Sequence, residues 1–101
     1  MDHIINAAIQ VIPKTREADY YHLVDKAIDE IKASGLKYMV TPMETVIEGP
    51  YAQIMEVIHR AERATLHAGA DELIVNIKLH IRKDADVSFE EKIEKHKNSP
   101  A

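Results

Sequence analysis

The sequence predicts an α+β fold of order βαββαβ followed by a C-terminal helix, and three features of its 101 residues carry that prediction. The residues before Pro13 and those after Asp71 alternate in hydropathy with the period of two that a half-buried strand requires. Between them lie two longer segments whose apolar side chains recur at three- and four-residue spacing, and each closes at a glycine, Gly35 or Gly69. Each helix therefore leads from one strand into another. Two such βαβ halves in tandem obey the right-handed crossover rule as a ferredoxin-like sandwich, a four-stranded antiparallel sheet with both helices on one face.

In the first strand Ile5, Ala7, Ile9 and Val11 form the buried series, and Pro13 is expected to end it. Lys14 to Ala18 is a polar connection. Asp19 caps a helix whose core positions are Leu23, Val24, Ala27, Ile28 and Ile31, and Gly35 supplies the left-handed residue past its end. Residues 36–41 and 43–48 are two short strands turning at Pro42, hence a hairpin. Pro50 suits the first turn of the second helix, whose stripe is Ile54, Ile58, Ala61 and Thr65, flanked by Val57 and Ala64. Residues 72–82 alternate without a break. Leu73, Val75, Ile77, Leu79 and Ile81 share one face, and burying them at about 1.5–3 kcal/mol each would make this the strongest strand. Residues 84–87 read as a loop, Ser88 with Glu91 as the capping box of a last helix carrying Phe89 and Ile93, and the tail from His96 as frayed.

Length allows one core, so residues 1–101 are expected to be a single domain. A formal charge of −4 disfavours non-specific attraction to nucleic acid or anionic lipid, and a cationic small ligand is compatible with it. Without cysteine there is no disulfide framework, thiolate metal site or thiol nucleophile. Met1-Asp2-His3 runs straight into a strand and no apolar run reaches the roughly 18 residues of a membrane span, so a cytoplasmic location is expected. His59 and His67 lie eight apart on the second helix and share a side only approximately, His22, His80 and His96 sit on different elements, and there is no His-x-x-x-His pair, which points to solvated imidazoles and no metal. No serine has an evident activating base, and the glycines are isolated, which speaks against nucleophilic catalysis and a phosphate loop. The first and last strands carry no aromatic residue for stacking bases, so RNA binding on the sheet is not expected.

Glu48 stands out among the acids because it closes a β-branched strand immediately before Gly49-Pro50. It can cap the second helix, or it can pair with an aminopyrimidine, whose ring nitrogen and exocyclic amine suit a carboxylate with Thr41 and Thr45 nearby. Gln10 and Asn76 complete the candidate ligand-binding set. The tyrosines (Tyr20, Tyr21, Tyr38 and Tyr51) supply aromatic volume, and one or two can stack on a flat ligand. The sheet face away from the helices mixes Ile4, Ala8, Met39 and Ile74 with Asn6, Gln10, Lys78 and His80, and is apolar enough to meet another subunit.

Several segments together resemble the small thiamine-binding protein family. They are Val11-Ile12-Pro13, Ala33-Ser34-Gly35-Leu36-Lys37-Tyr38, Thr41 through Pro50, Ala68-Gly69-Ala70, Ile77-Lys78-Leu79 with Arg82, and Ser88-Phe89-Glu90-Glu91-Lys92. The similarity spans residues 5–95. It implies a ferredoxin-like fold, a homo-oligomer (dimer or tetramer) assembled through the sheets, and binding of thiamine or its hydroxymethyl-pyrimidine portion without catalysis or cofactor. The chain departs from the family pattern at Glu44, where glycine is common, at Lys14-Thr15-Arg16-Glu17, usually a Gly/Ser loop, and at Val75, often threonine. Two other readings remain: a small oligomeric ferredoxin-like enzyme acting on a hydrophobic substrate between sheet and helices, and a self-assembly or regulatory module without a small ligand.

Overall fold

The computed structural model describes residues 3–96, arranged as β1 (Ile4–Lys14), α1 (Tyr20–Ala33), β2 (Lys37–Val40), β3 (Thr45–Pro50), α2 (Tyr51–His67), β4 (Glu72–His80), α3 (Phe89–Ile93) and a 3₁₀ turn, Glu94–His96. The sheet is antiparallel, in the order β2-β3-β1-β4. Strand parity in β1 sends Ile5, Ala7, Ile9 and Val11 into the core, each at most 9% exposed, against Ala27 and Ile31 of α1 and Ile54, Val57, Ile58 and Ala61 of α2. Asp19 caps α1 by accepting the Tyr21 N–H, and Gly35, at φ 77°, takes the chain out of the helix. The expected α+β ferredoxin-like architecture is therefore the one found.

Three local expectations are corrected. Pro13 does not end β1, which continues to Lys14; there β1 pairs with β4 alone, so a residue without an N–H is accommodated on the unpaired side. Pro50 is the last residue of β3 and the N-cap of α2, not a residue of its first turn. The third concerns β4, which ends at His80 and lies at the edge of the sheet. Leu73 and Val75 pack against the core, but Ile77, Leu79 and Ile81 stay 38–39% exposed, because the helices cover the sheet's centre and only the start of this strand. It is not the most buried strand.

β1 is longer than either neighbour, and the two neighbours are offset. β3 pairs with β1 from Ile4 to Ile9, whereas β4 pairs with it from Asn6 to Lys14. The place beside Ile4 that β4 leaves vacant is taken by the loop after it: Val87 N–H donates to the Ile4 carbonyl at 2.9 Å, and Ile4 N–H to Asp86 Oδ1 at 2.8 Å. Val87 is fully buried and leads into α3, which lies over part of the sheet face opposite α1 and α2. The predicted Ser88/Glu91 capping box is present. The expected fraying of the tail falls mostly on residues 97–101, outside the described part.

Glu91 ties α3 down. Its carboxylate accepts two bonds from the Arg82 guanidinium, at 2.8 and 2.5 Å, and one from Ser88 N–H at 2.8 Å. The guanidinium first, then the Ser88 N–H, lower its pKa from the ordinary 4.5 to about 2. A depressed carboxylate stabilises the folded form above its unfolded pKa and loses that contribution as pH falls through the folded one. Protection of the Val87 and Phe89 amides, measured relative to their intrinsic exchange rates, should therefore fall between pH 4.5 and about 2. In Glu91→Gln that protection should be low already at neutral pH and vary less across that window.

Candidate functional site

The side chains of β3 divide by parity. Thr45 and Ile47 face the helices, while Glu44, Val46 and Glu48 face the other way. Glu48 is thus three residues and one sheet face away from Thr45. It also lies two residues before the end of β3, because Gly49 and Pro50 continue the ladder opposite Ile5 and Ile4.

The Glu48 carboxylate is 13% exposed and engaged on every side. Its Oε1 accepts from Phe89 N–H at 2.6 Å and from Asn6 Nδ2 at 3.2 Å, and its Oε2 lies 3.5 Å from Lys37 Nζ. The helix it caps is α3, whose first N–H it holds, and not α2, which starts without a side-chain cap. Asn6 completes the cluster by donating to the Val87 carbonyl and accepting from Lys92 Nζ at 3.0 Å. Lys37 also contacts Glu90, which above all raises its pKa, and lies 5.4 Å from the centre of the Phe89 ring. Next to this cluster, Ala8, Met39, Val46, Lys78, His80 and Ile93 enclose a cavity of about 370 Å³ between sheet and α3.

Gln10 and Asn76 are paired on the same face, Asn76 Nδ2 donating to Gln10 Oε1 at 3.2 Å. They stand four residues along β1 from Asn6, about 13 Å from the Glu48 cluster at 3.3 Å per residue. Thr41 organises the turn between β2 and β3: its hydroxyl donates to the Glu44 carbonyl at 2.6 Å and accepts from the N–H groups of Met43 and Glu44. The five candidate residues therefore do not converge on one point.

Three of them, Gln10, Thr41 and Thr45, meet elsewhere. They line a cavity of about 200 Å³ between the start of α1 and the β2–β3 turn, together with Tyr20, Tyr21 and Glu44. The tyrosine rings stand edge to face, with centroids 5.6 Å apart. This cavity opens where β3 stops short of β1: past Ile9, β1 has no neighbour on that side, so alternate backbone N–H and C=O groups there lack a ladder partner. Thr45 is only 6% exposed, and its hydroxyl makes no hydrogen bond to any described residue. No fully buried side-chain oxygen or nitrogen of the described residues goes unpaired, so that hydroxyl opens to the cavity. Sequence reasoning named Thr45 but missed Tyr20, Tyr21 and Glu44 as its neighbours. Parity, which separates Thr45 from Glu48, was the available signal. Among the described residues no three His, Cys, Asp or Glu side chains converge as metal ligands.

The family model described as thiamine-binding protein matches residues 7–97. The chain belongs to that family. It is 30% identical over 92 residues to a UPF0045 protein of Clostridium perfringens, covering 91% of this chain and 96% of the relative. It is 32% identical over 93 residues to the UPF0045 protein YqgV of Bacillus subtilis, covering 87% and 89%. Among solved structures, a DUF77 domain from Bacillus cereus superposes with a TM-score of 0.92 at 36% identity, over 95% of this chain and 92% of that one. A structure from Thermotoga maritima, designated a thiamine biosynthesis/salvage protein, superposes with a TM-score of 0.82 at 25% identity, over 91% and 97%. The thiamine-binding protein family is named for binding, not for a reaction, and no described helix is long and apolar enough to cross a membrane.

In this member Glu48→Ala removes an acceptor held by Phe89 N–H and Asn6, leaving the Phe89 N–H unpaired and Asn6 Nδ2 with the Val87 carbonyl alone. At 13% exposure the loss should be about 1.5–3 kcal/mol of stability, measured by urea denaturation, with the largest gain in amide exchange at Phe89.

Proposed function

We propose that the protein binds thiamine or its hydroxymethyl-pyrimidine portion without turning it over, with the pyrimidine ring in the cavity beside Tyr20 and Tyr21. The observation that carries this reading is the Thr45 hydroxyl, nearly buried, without a hydrogen-bond partner among the described residues and facing that cavity. A buried hydroxyl without a partner carries a desolvation cost that a bound ligand removes. An aminopyrimidine fits the remaining groups. Its ring nitrogen accepts from Thr45, its exocyclic amine donates to a free β1 carbonyl near Gln10, and its face lies on a tyrosine ring. About 200 Å³ is below the usual range for whole drug-sized ligands and matches one ring, leaving the thiazolium of thiamine at the mouth near the Glu44 carboxylate. Thr41 shapes this wall, and its own hydroxyl is already used by the turn.

Binding without catalysis is favoured by the lining itself. Its titratable side chains are Tyr20, Tyr21 and Glu44, and it has no histidine, lysine or cysteine to pair with them as acid and base. Glu48 and Asn76 belong to the same reading as supports: Glu48 anchors α3, and Asn76 holds Gln10 in place.

Calorimetry with either compound should give a Kd in the micromolar range, near −8 kcal/mol, with unchanged ligand recovered afterwards. Thr45→Val should weaken binding by about 1 kcal/mol, roughly fivefold, with little change in melting temperature. Glu48→Gln should do the reverse. No heat at millimolar protein, or a Thr45→Val protein that binds like the parent, would overturn the assignment of this cavity.

The same proposal includes a homo-oligomer formed through the sheet face that α3 leaves uncovered, where Met39 is 46% and Ile74 44% exposed. Ile74→Lys should place an unpaired charge in that contact and reduce the sedimenting mass at micromolar concentration. A wild-type chain that sediments as a monomer would count against it.

A further inference from the structure

We propose that the groove between α1 and α2, on the outer surface of the helical layer, binds a linear oligophosphate, a chain of linked phosphates that is either free or the tail of a nucleotide. The site is separate from the cavity beside Tyr20 and from the open sheet face, and it depends on neither the thiamine reading nor the oligomer.

β1 and β3 run antiparallel and each feeds a helix on the same face of the sheet, so α1 and α2 run antiparallel as well. Leu23, Ala27 and Ile31 of α1, and Ala61 and Thr65 of α2, are buried. The residues one position before each of these, His22, Lys26 and Glu30 on one helix and Arg60 and Ala64 on the other, line the outer seam with Arg63, His67 and Ala68. Ala64 and Ala68 are too small to fill it, which leaves an open groove of about 670 Å³. The antiparallel packing sets His22 beside His67 at one end, Lys26 beside Arg63 in the middle and Glu30 beside Arg60 at the other end.

The charge of this groove is opposite to that of the chain. Three fixed cations, Lys26, Arg60 and Arg63, line it against one carboxylate, Glu30, in a chain whose formal charge is −4. Arg60 is balanced within α2 by Glu56, at 3.1 Å. Lys26 and Arg63 make no ion pair or hydrogen bond with any described residue. Like charges across one seam repel each other, and an anion seated between them turns that repulsion into two attractions. The helix dipoles do not explain the pattern: His22 stands in the first turn of α1, the end that favours acids, and that turn contains none. A guanidinium fork beside an ammonium suits phosphate oxygens. His67 lies about 6 Å along the helix axis from Arg63, at 1.5 Å per residue, so linked phosphates reach from the Lys26–Arg63 pair to the imidazole N–H donors where a single phosphate does not.

Titrating the full-length protein with inorganic tripolyphosphate at low ionic strength, followed by backbone amide shifts, tests the site. Saturable shifts should fall on residues 22–30 and 60–68. Lys26→Gln and Arg63→Gln, both at exposed positions and so expected to keep the circular dichroism of the parent, should each weaken binding about fivefold. Glu30→Gln should tighten it, since it removes the groove's own carboxylate, and Lys83→Gln, an exposed cation outside the groove, should leave it unchanged. Adenosine triphosphate that binds as tightly as tripolyphosphate would assign the groove to a nucleotide's tail, and weaker binding would assign it to the free polyanion; both uphold the site. No saturable shift at millimolar tripolyphosphate would overturn the proposal, as would orthophosphate binding equally well. So would a Lys83→Gln effect as large as that of Lys26→Gln, or a Glu30→Gln protein that binds no tighter than the parent, because either marks diffuse attraction without a seat. Thiamine binding by the same protein is measured separately and is unaffected by any of these results.

Discussion

The offset between β3 and β4 along β1 is the constraint on which the rest of the structure depends. An eleven-residue strand flanked by two shorter ones that start at opposite ends must be left uncovered at two diagonal corners. Uncovered backbone in a sheet's interior is costly, so each corner demands a solution. At the Ile4 corner the chain supplies its own: Asp86 and Val87 dock there and α3 follows. At the Gln10–Val11 corner no strand or loop of the described residues fills the place, and the gap becomes a cavity walled by the first turn of α1. The docked corner and the open cavity are thus two outcomes of one mismatch in strand length.

This arrangement separates two carboxylates that sequence proximity puts together. Glu48 and Glu44 are four residues apart on one strand face, yet Glu48 is enclosed by α3, Asn6 and Lys37, while Glu44 sits at the rim of both cavities with a single lysine contact. The first is used up by the fold. The second keeps the freedom to face a cation.

The elements most legible in the sequence were those with an uninterrupted period. The series Ile5–Ala7–Ile9–Val11 and the stripe Ile54–Ile58–Ala61–Thr65 are buried as their spacing required, because periodicity reports which side chains share a face. It does not report what lies across that face, and for this reason the alternation of β4 suggested five buried residues where an edge strand has two partly covered ones. The partners of Glu48 were hidden for a different reason. Phe89 is 41 residues away, and the closure of a loop of that length leaves no local trace. The separation of Thr45 from Glu48 was legible in principle, since an odd number of steps along a strand always changes face.

α1 and α2 are held to the sheet by aliphatic contacts, whereas α3 has Val87 and Phe89 as its apolar anchors and otherwise depends on Arg82–Glu91, Lys37–Glu90, Lys92–Asn6 and Glu48 at its N-terminus. Ionic strength acts on these two kinds of attachment unequally. At 1 M salt the screening length is about 3 Å, short enough to weaken exposed ion pairs while leaving hydrocarbon burial intact or strengthened. Guanidinium chloride, being a salt, should therefore loosen the C-terminal segment ahead of the sandwich, a distinction that uncharged urea should not make. The two denaturants therefore sample different folding units of one small domain, and the difference between their curves isolates the part of its cohesion that is electrostatic.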